Sequence, residues 1–172
     1  MSHKKNLIVL TAIIFTGFLG ASAANAQNLN QQCYTLASLQ GYYAVIGNYG
    51  ANVASALAVR YLDGNGNLTG TGVVNGPTAG STTGARTLTT TINTGTYTVN
   101  CDGTGTFNRV ITNVTTGAVS TAVNDFIITG AIVQAGQLLA TAIVDAQRTP
   151  STIVPGGVFV TFVHTRLPDA PI

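Results

Sequence analysis

Residues 95–112 combine two short alternating segments with a glycine-rich turn, and one of the two cysteines of the chain lies inside that turn. Asp102, Gly103 and Gly105 favour a tight reversal, because aspartate and glycine readily adopt the backbone conformations that hairpin turns require. This stretch predicts an antiparallel β-hairpin, and we expect the other strands to pack beside it.

The hydrophobic pattern selects the register of this hairpin, since side chains alternate between the two faces of a strand. A three-residue loop at 102–104 pairs Val99 with Phe107 and Tyr97 with Arg109. The tyrosine, valine and phenylalanine then share one apolar face, whereas a two-residue loop mixes apolar and polar side chains on both faces. The preferred register leaves Arg109 on the apolar face beside Tyr97.

Similar short segments follow one another along the chain, separated by turns rich in glycine, asparagine and proline. The turn at 63–67 sets a register, because pairing Asp63 with Asn67 places Tyr61 opposite Thr69. A short helical turn is predicted at 33–39. Outside the hairpin of residues 95–112, strands are predicted at residues 42–46, 54–62, 68–74, 86–92, 123–134, 138–147 and 158–166.

Twenty glycines and short turns, without a convincing long helix, predict an all-β fold. Closure of an antiparallel meander into a barrel removes its exposed edges. We therefore predict one barrel of about eight or nine strands, with a two-sheet β-sandwich as the alternative. The barrel domain is expected at 39–167, after an N-terminal segment at 27–38 and before a tail at 168–172.

A signal peptide is predicted at residues 1–26. Lys4 and Lys5 give a positive start, an apolar run follows at 7–19, and small residues lead to a cleavage site after Ala26. The apolar run is shorter than the about 20 residues that a spanning helix needs, so no transmembrane anchor is expected. The protein is predicted to be secreted or periplasmic.

Cys33 and Cys101 are the only cysteines, and in an oxidising compartment they predict one disulfide, with two free thiols as the alternative. Neither has a companion histidine or carboxylate cluster, so no metal site and no cofactor are predicted. The turn that begins at Asp63 has the spacing of a calcium loop. However, Leu68 and Val74 occupy the positions where an EF-hand requires glycine and glutamate, which favours a simple hairpin turn.

Charge is scarce in this chain. Lys4 and Lys5 account for two of the seven basic residues, so the predicted exported chain has five arginines against five acidic residues and a net charge of zero. Such a chain offers no basic patch for phosphates, and nucleic acid is not expected as a partner. A near-neutral surface associates readily, and the oligomeric state is left open.

Three motifs occur in order: Leu-Gln-Gly-Tyr-Tyr at 39–43, Leu-Asp-Gly-Asn-Gly-Asn-Leu-Thr-Gly at 62–70, and Gly-Thr-Tyr-Thr-Val-Asn-Cys-Asp-Gly-Thr-Gly-Thr at 95–106. Together they resemble a group of uncharacterised secreted bacterial proteins related to small barrels of the lipocalin or allene-oxide-cyclase type. The resemblance implies a small antiparallel barrel. Its motifs are turns and glycines, so it carries over no catalytic residue.

Arg109, Tyr97 and His164 are the candidate ligand-binding residues. An unpaired guanidinium among apolar neighbours is costly, so Arg109 is expected to pair with Asp145 or Asp125. Alternatively, it stacks on Tyr97 or meets a ligand carboxylate. His164 is the only histidine after the predicted signal peptide, and a hydrogen-bonded strand residue is its simplest interpretation, because no motif supplies a nucleophile or acid beside it.

These features predict an exported, non-catalytic β-barrel with a binding or surface-associated structural role. One alternative is a lipocalin-like carrier of a small apolar ligand, whose cavity the apolar hairpin at 126–144 would line. A second is an isomerase or cyclase, which requires His164, Arg109 and a tyrosine in one pocket. The expected partner is therefore a small apolar ligand or a surface component.

Overall fold

The structure, a computed structural model, describes residues 33–50 and 53–168. The predicted signal peptide, residues 27–32 of the N-terminal segment and residues 169–172 of the tail lie outside the described residues. No described helix is long and apolar enough to cross a membrane.

Eight antiparallel strands form a closed barrel in which each strand pairs with the next and β1 pairs with β8. This confirms the predicted meander barrel, and the β1–β8 pairing excludes the sandwich. The strands are β1 Gly41–Asn48, β2 Ser55–Leu62, β3 Asn67–Pro77, β4 Arg86–Val99, β5 Thr104–Asn113, β6 Val119–Gln134, β7 Gln137–Gln147 and β8 Thr161–Arg166.

Tight turns lie at one end of the barrel, which we call the closed end. A 3-10 helix, Leu36–Leu39, lies at this end and confirms the predicted helical turn, with Leu39 wholly buried in the core. The Tyr97 hydroxyl donates to the Leu36 carbonyl at 3.1 Å and accepts from the Gly64 amide at 2.9 Å. These bonds fasten the 3-10 helix to the turns around it.

The predicted disulfide between Cys33 and Cys101 is present. It joins the segment before the 3-10 helix to the β4–β5 turn. A disulfide of this kind indicates an oxidising, extracytoplasmic environment.

The β2–β3 hairpin has the predicted register. Tyr61 lies opposite Thr69, and the Asp63 amide donates to the Asn67 carbonyl at 3.1 Å. The Asp63 carboxylate accepts bonds from the Asn65 and Asn67 amides at 2.7 and 2.9 Å, and from the Asn67 side chain at 2.7 Å. The turn therefore uses its own carboxylate to fix its shape.

The predicted register of the β4–β5 hairpin is wrong by two residues. Tyr97 pairs with Phe107 and not with Arg109, which lies opposite Gly95. The cause is the turn, because the Asn100 amide donates to the Thr104 carbonyl at 2.7 Å. The three-residue loop therefore lies at 101–103, one residue earlier than predicted, and each cross-strand partner changes by two residues. A shift of two residues conserves the face of each side chain, so Arg109 still points into the barrel, where it is 4% exposed.

The closed half of the barrel is filled by apolar side chains. Members of this core include Leu39, Tyr43, Leu62, Leu68, Phe107, Phe126 and Ile143. Arg166 lies over the Tyr43 ring and donates to the Tyr43 hydroxyl at 3.0 Å and to the Ala140 carbonyl at 2.7 Å. The interior is therefore solid at this end.

The outer wall carries a continuous row of exposed apolar side chains. Neighbouring strands pair these residues with one another, so the row crosses β6, β7, β8, β1, β2 and β3 in that order. We call the set the outer apolar row: Ile127, Val144, Val163, Ile46, Leu57 and Val73.

Candidate ligand-binding site

The other end of the barrel, which we call the mouth, is open. The longer connections surround it, with described residues 49–50, 53–54, 78–85, 114–118 and 148–160. A cavity of about 630 Å³ lies there. Its wall is lined by both hydroxyl-bearing and apolar side chains. The hydroxyl-bearing residues include Thr78, Thr89 and Ser120, and the apolar ones include Val74, Ile111 and Ile153.

A smaller space of about 40 Å³ lies at the floor of this mouth cavity. Tyr49, Val74, Thr91 and Ile111 line both spaces, so the two adjoin. The smaller space is also lined by Arg60, Asn93 and Arg109. The mouth therefore leads from solvent towards two buried arginines.

Asp145 is the acceptor around which the buried polar groups are arranged. Its Oδ2 lies 2.7 Å from His164 Nε2 and 3.6 Å from Arg60 Nη1. Its Oδ1 accepts from Asn124 Nδ2 at 2.7 Å. The short Nε2 contact places the proton of a neutral imidazole on Nε2, so His164 donates to the carboxylate.

Arg109 reaches the same carboxylate through an amide. Its Nη2 donates to Asn124 Oδ1 at 2.8 Å, and Asn124 donates onward to Asp145. Its Nη1 donates to Asn93 Oδ1 at a longer 3.4 Å. Neither predicted ion pair is present, since Asp145 pairs with Arg60 and Asp125 lies outside the barrel, bonded to Arg148 at 2.6 Å.

The ring of Phe162 contacts both buried guanidinium groups. Arg60 and Arg109 lie over its ring at 5.1 and 4.9 Å from the centroid. Cation–π attraction of this kind offsets part of the cost of burying a guanidinium. The predicted stack of Arg109 on an aromatic ring thus forms with Phe162 in place of Tyr97.

The buried charges of the described residues do not balance. Two arginines share one aspartate, and burial lowers the pKa of His164 to about 4, so that its imidazole is neutral at pH 7. Burial and the neighbouring Arg109 lower the pKa of Arg60 to about 9, which still leaves Arg60 charged at pH 7. The cluster therefore holds one excess positive charge in a region of low dielectric.

Donors also remain unused in this cluster. The Nε–H donors of Arg60 and Arg109 are buried without a hydrogen-bond partner, and His164 Nδ1, an acceptor in this tautomer, is also unpartnered. Buried polar atoms are normally bonded, so two unused donors in one cluster call for an explanation. Both guanidinium groups line the small space at the cavity floor, where an acceptor has room.

The structure brings together two of the three predicted site residues. Arg109 lines the small space, and His164 lies in the same polar cluster, although it lines neither of the two cavities at the mouth. Tyr97 lies at the closed end, bonded to Leu36 and Gly64, whereas the tyrosine that lines the mouth is Tyr49. Their role in ligand binding stays a prediction.

The apolar hairpin at 126–144 lines no part of the mouth cavity. Phe126 and Ile143 belong to the closed core, while Ile132 and Val133 lie exposed near the tip. The mouth is instead lined by the threonine-rich strands, because their inward positions carry threonine where the closed half carries aromatic rings. Among the described residues, no group of three or more histidine, cysteine, aspartate or glutamate side chains lies together.

Sequence reasoning missed Asn93, Asn124 and Phe162. Their common signal is strand alternation, because each occupies an inward position of its strand. A single strand does not reveal which neighbours meet across a barrel, and that pairing follows only from closure.

The chain matches no protein-family model, and no curated protein or solved structure is significantly similar to it. What stands is a closed, eight-stranded antiparallel barrel with a polar cluster beneath an open mouth.

Proposed function

We propose that this chain is an exported, non-catalytic β-barrel that binds a small amphipathic molecule in its mouth cavity. The observation that carries the proposal is the division of the interior, in which a solid apolar half supports a cavity of about 630 Å³ open to solvent. A volume of that size lies in the range of small-molecule sites. Its wall mixes hydroxyl and apolar groups, which favours an amphipathic ligand over the purely apolar one expected from the sequence.

A binding role is favoured over catalysis by the placement of the histidine. His164 is fully buried, donates to Asp145 and lines neither cavity at the mouth. A general base has to reach the proton that it removes, directly or through one water molecule. The proposal includes secretion or a periplasmic location, as well as kinship with the secreted bacterial barrels that the three motifs resemble.

A matched pair of variants tests this function. Thr89 lines the cavity and is half-buried, whereas its neighbour Thr90 points outward and is exposed. The protein is purified from its own host as wild type, Thr89→Trp and Thr90→Trp, and its mass is measured under native and denaturing conditions. We expect an extra mass, lost on denaturation, in the wild type and in Thr90→Trp but not in Thr89→Trp. A bare wild-type protein, or an extra mass that Thr89→Trp retains, would contradict the proposal.

A second candidate role is assembly with further copies of the same chain, and the outer apolar row favours it. The row follows the curved wall over six of the eight strands, an arc of about 24 Å at a strand spacing of about 4.8 Å, so a second copy would cover only part of it. The described outward side chains of β8, β1, β2 and β3 are uncharged, so two copies can meet about a two-fold axis without like-charge repulsion.

Sedimentation velocity tests this assembly. Leu57 is 65% exposed, the most exposed residue of the row, and Leu57→Lys is expected to convert a dimer into a monomer. Thr98→Lys, on the outer face of β4 away from the row, is expected to leave the dimer intact. A wild-type protein that sediments as a monomer at high micromolar concentration would contradict the proposed assembly.

A further inference from the structure

We infer that the ligand of the mouth cavity carries a carboxylate, and that Arg60 and Arg109 at the cavity floor bind this group. The inference rests on the proposed function, since it names the chemical class of the molecule that the cavity holds. It begins from the charge imbalance of the cluster, where two guanidinium groups share the carboxylate of Asp145.

The first step concerns charge. A buried guanidinium without a full counter-charge is costly, and the cost is recovered when an anion arrives within hydrogen-bond distance. Asp145 serves Arg60 directly, but it reaches Arg109 only through Asn124. An anion beside Arg109 would therefore complete the charge balance of the cluster.

The second step concerns geometry. Arginine offers several N–H donors in a planar fork that matches the two oxygens of a carboxylate. In both arginines the Nε donor is buried and unused, and both side chains line the small space. The donors that a carboxylate needs are thus present where the cavity ends.

The third step concerns size. The small space measures about 40 Å³, more than the about 10–15 Å³ that one water molecule requires. It therefore has room for a small, flat group such as a carboxylate. The remainder of the ligand has the mouth cavity of about 630 Å³, where Val74, Ile111 and Ile153 offer apolar contact.

The test compares decanoate with 1-decanol by isothermal titration calorimetry at pH 7.5. The two probes share the length and apolarity of their tails and differ in the charged head group. We expect decanoate to bind the wild-type protein at least tenfold more tightly than 1-decanol. This comparison needs no variant, so it decides the matter even if a cluster variant fails to fold.

Two substitutions locate the effect. Arg109→Gln is expected to remove the preference for decanoate. The matched control Arg148→Gln alters an exposed arginine that pairs with Asp125 outside the barrel, and it is expected to keep the preference. Thermal melting of each variant accompanies the titration. An unchanged preference in a folded Arg109→Gln protein would overturn the inference.

The outcomes separate the two proposals. Equal binding of both probes, lost in Thr89→Trp, would overturn the carboxylate while the cavity function stands. Binding of neither probe to the wild type, or binding that Thr89→Trp leaves unchanged, would contradict both.

Discussion

Phe162 and the residues around it explain how charge is accommodated inside this barrel. Its ring contacts the guanidinium groups of Arg60 on β2 and Arg109 on β5. Asp145 on β7 and His164 on β8 complete the cluster from the opposite wall. Its members come from six different strands, counting Asn93 on β4 and Asn124 on β6. The cluster therefore exists only when the barrel is closed.

The neutral state of His164 makes stability depend on pH. Burial lowers its pKa from 6.5 to about 4, a shift that the hydrogen bond to Asp145 opposes and the charge of Arg60 reinforces. Between these values the unfolded chain binds a proton that the folded chain does not, so the free energy of unfolding falls as the pH drops from 6.5 to 4. The expected loss from this group is about 3 kcal/mol.

Urea denaturation at pH 7, 5.5 and 4 measures this effect in the wild type and in His164→Gln, which keeps a donor for Asp145 but does not titrate. The variant is expected to lose less stability on acidification. Identical pH dependence in both proteins would show that His164 is not the responsible group.

Gly95 lies where the backbone of β5 closely approaches that of β4. Its φ is +157°, and a Cβ there would overlap the Asn108 carbonyl oxygen and lie 3.0 Å from the Arg109 Cα. Both obstacles are backbone atoms, which cannot rotate away. Gly95→Ala is therefore expected to destabilise the protein by more than about 2 kcal/mol and to displace Arg109.

The control for this substitution is Gly117→Ala, since Gly117 also has a positive φ, +71°, but a Cβ there meets nothing within 4 Å. It is expected to cost about 1 kcal/mol, from backbone strain alone. Equal losses for the two variants in urea denaturation would contradict the close approach at Gly95.

At the scale of elements, the turns decided which parts of the fold could be predicted. The β2–β3 register was predictable because Asp63 and Asn67 form a turn of one clear length. The β4–β5 register was not predictable, because Asn100 and Asp102 are both suitable residues for the start of the turn. In the structure Asp102 lies within the loop, where its carboxylate accepts a hydrogen bond from the Thr104 amide. The face on which each side chain lies was still predicted correctly, because the register shifted by an even number of residues.

The disulfide fastens the N-terminal segment to the β4–β5 turn, and its loop spans 68 residues. Restricting the unfolded chain in this way is worth at most about 4 kcal/mol in the chain-entropy treatment. The double variant Cys33→Ser, Cys101→Ser is expected to lose up to that amount in urea denaturation, and the reduced wild type should match it. A loss below about 1 kcal/mol would show that the 3-10 helix holds its place without the disulfide.

At the scale of the whole molecule, the two ends of the barrel differ in what the sequence reveals about them. The motifs that carry the family resemblance lie in β1 and in the β2–β3 and β4–β5 hairpins, whose turns are all at the closed end. The candidate site lies at the mouth, beneath long loops whose composition specifies no contact. Arg109 could be identified from the sequence because a charged residue on an apolar strand face is unusual. Its partners Asn93 and Asn124 could not, because nothing in the sequence shows that their strands bring them to Arg109.

The central claim is that the mouth cavity receives a carboxylate at its buried arginines. A crystal structure of the protein with decanoate tests it most directly. We predict the tail among the side chains of the mouth and the carboxylate oxygens about 2.7–3.0 Å from guanidinium nitrogen atoms of Arg109 and Arg60. Decanoate bound in the cavity with its carboxylate towards solvent, or bound only on the outer wall, would contradict the account.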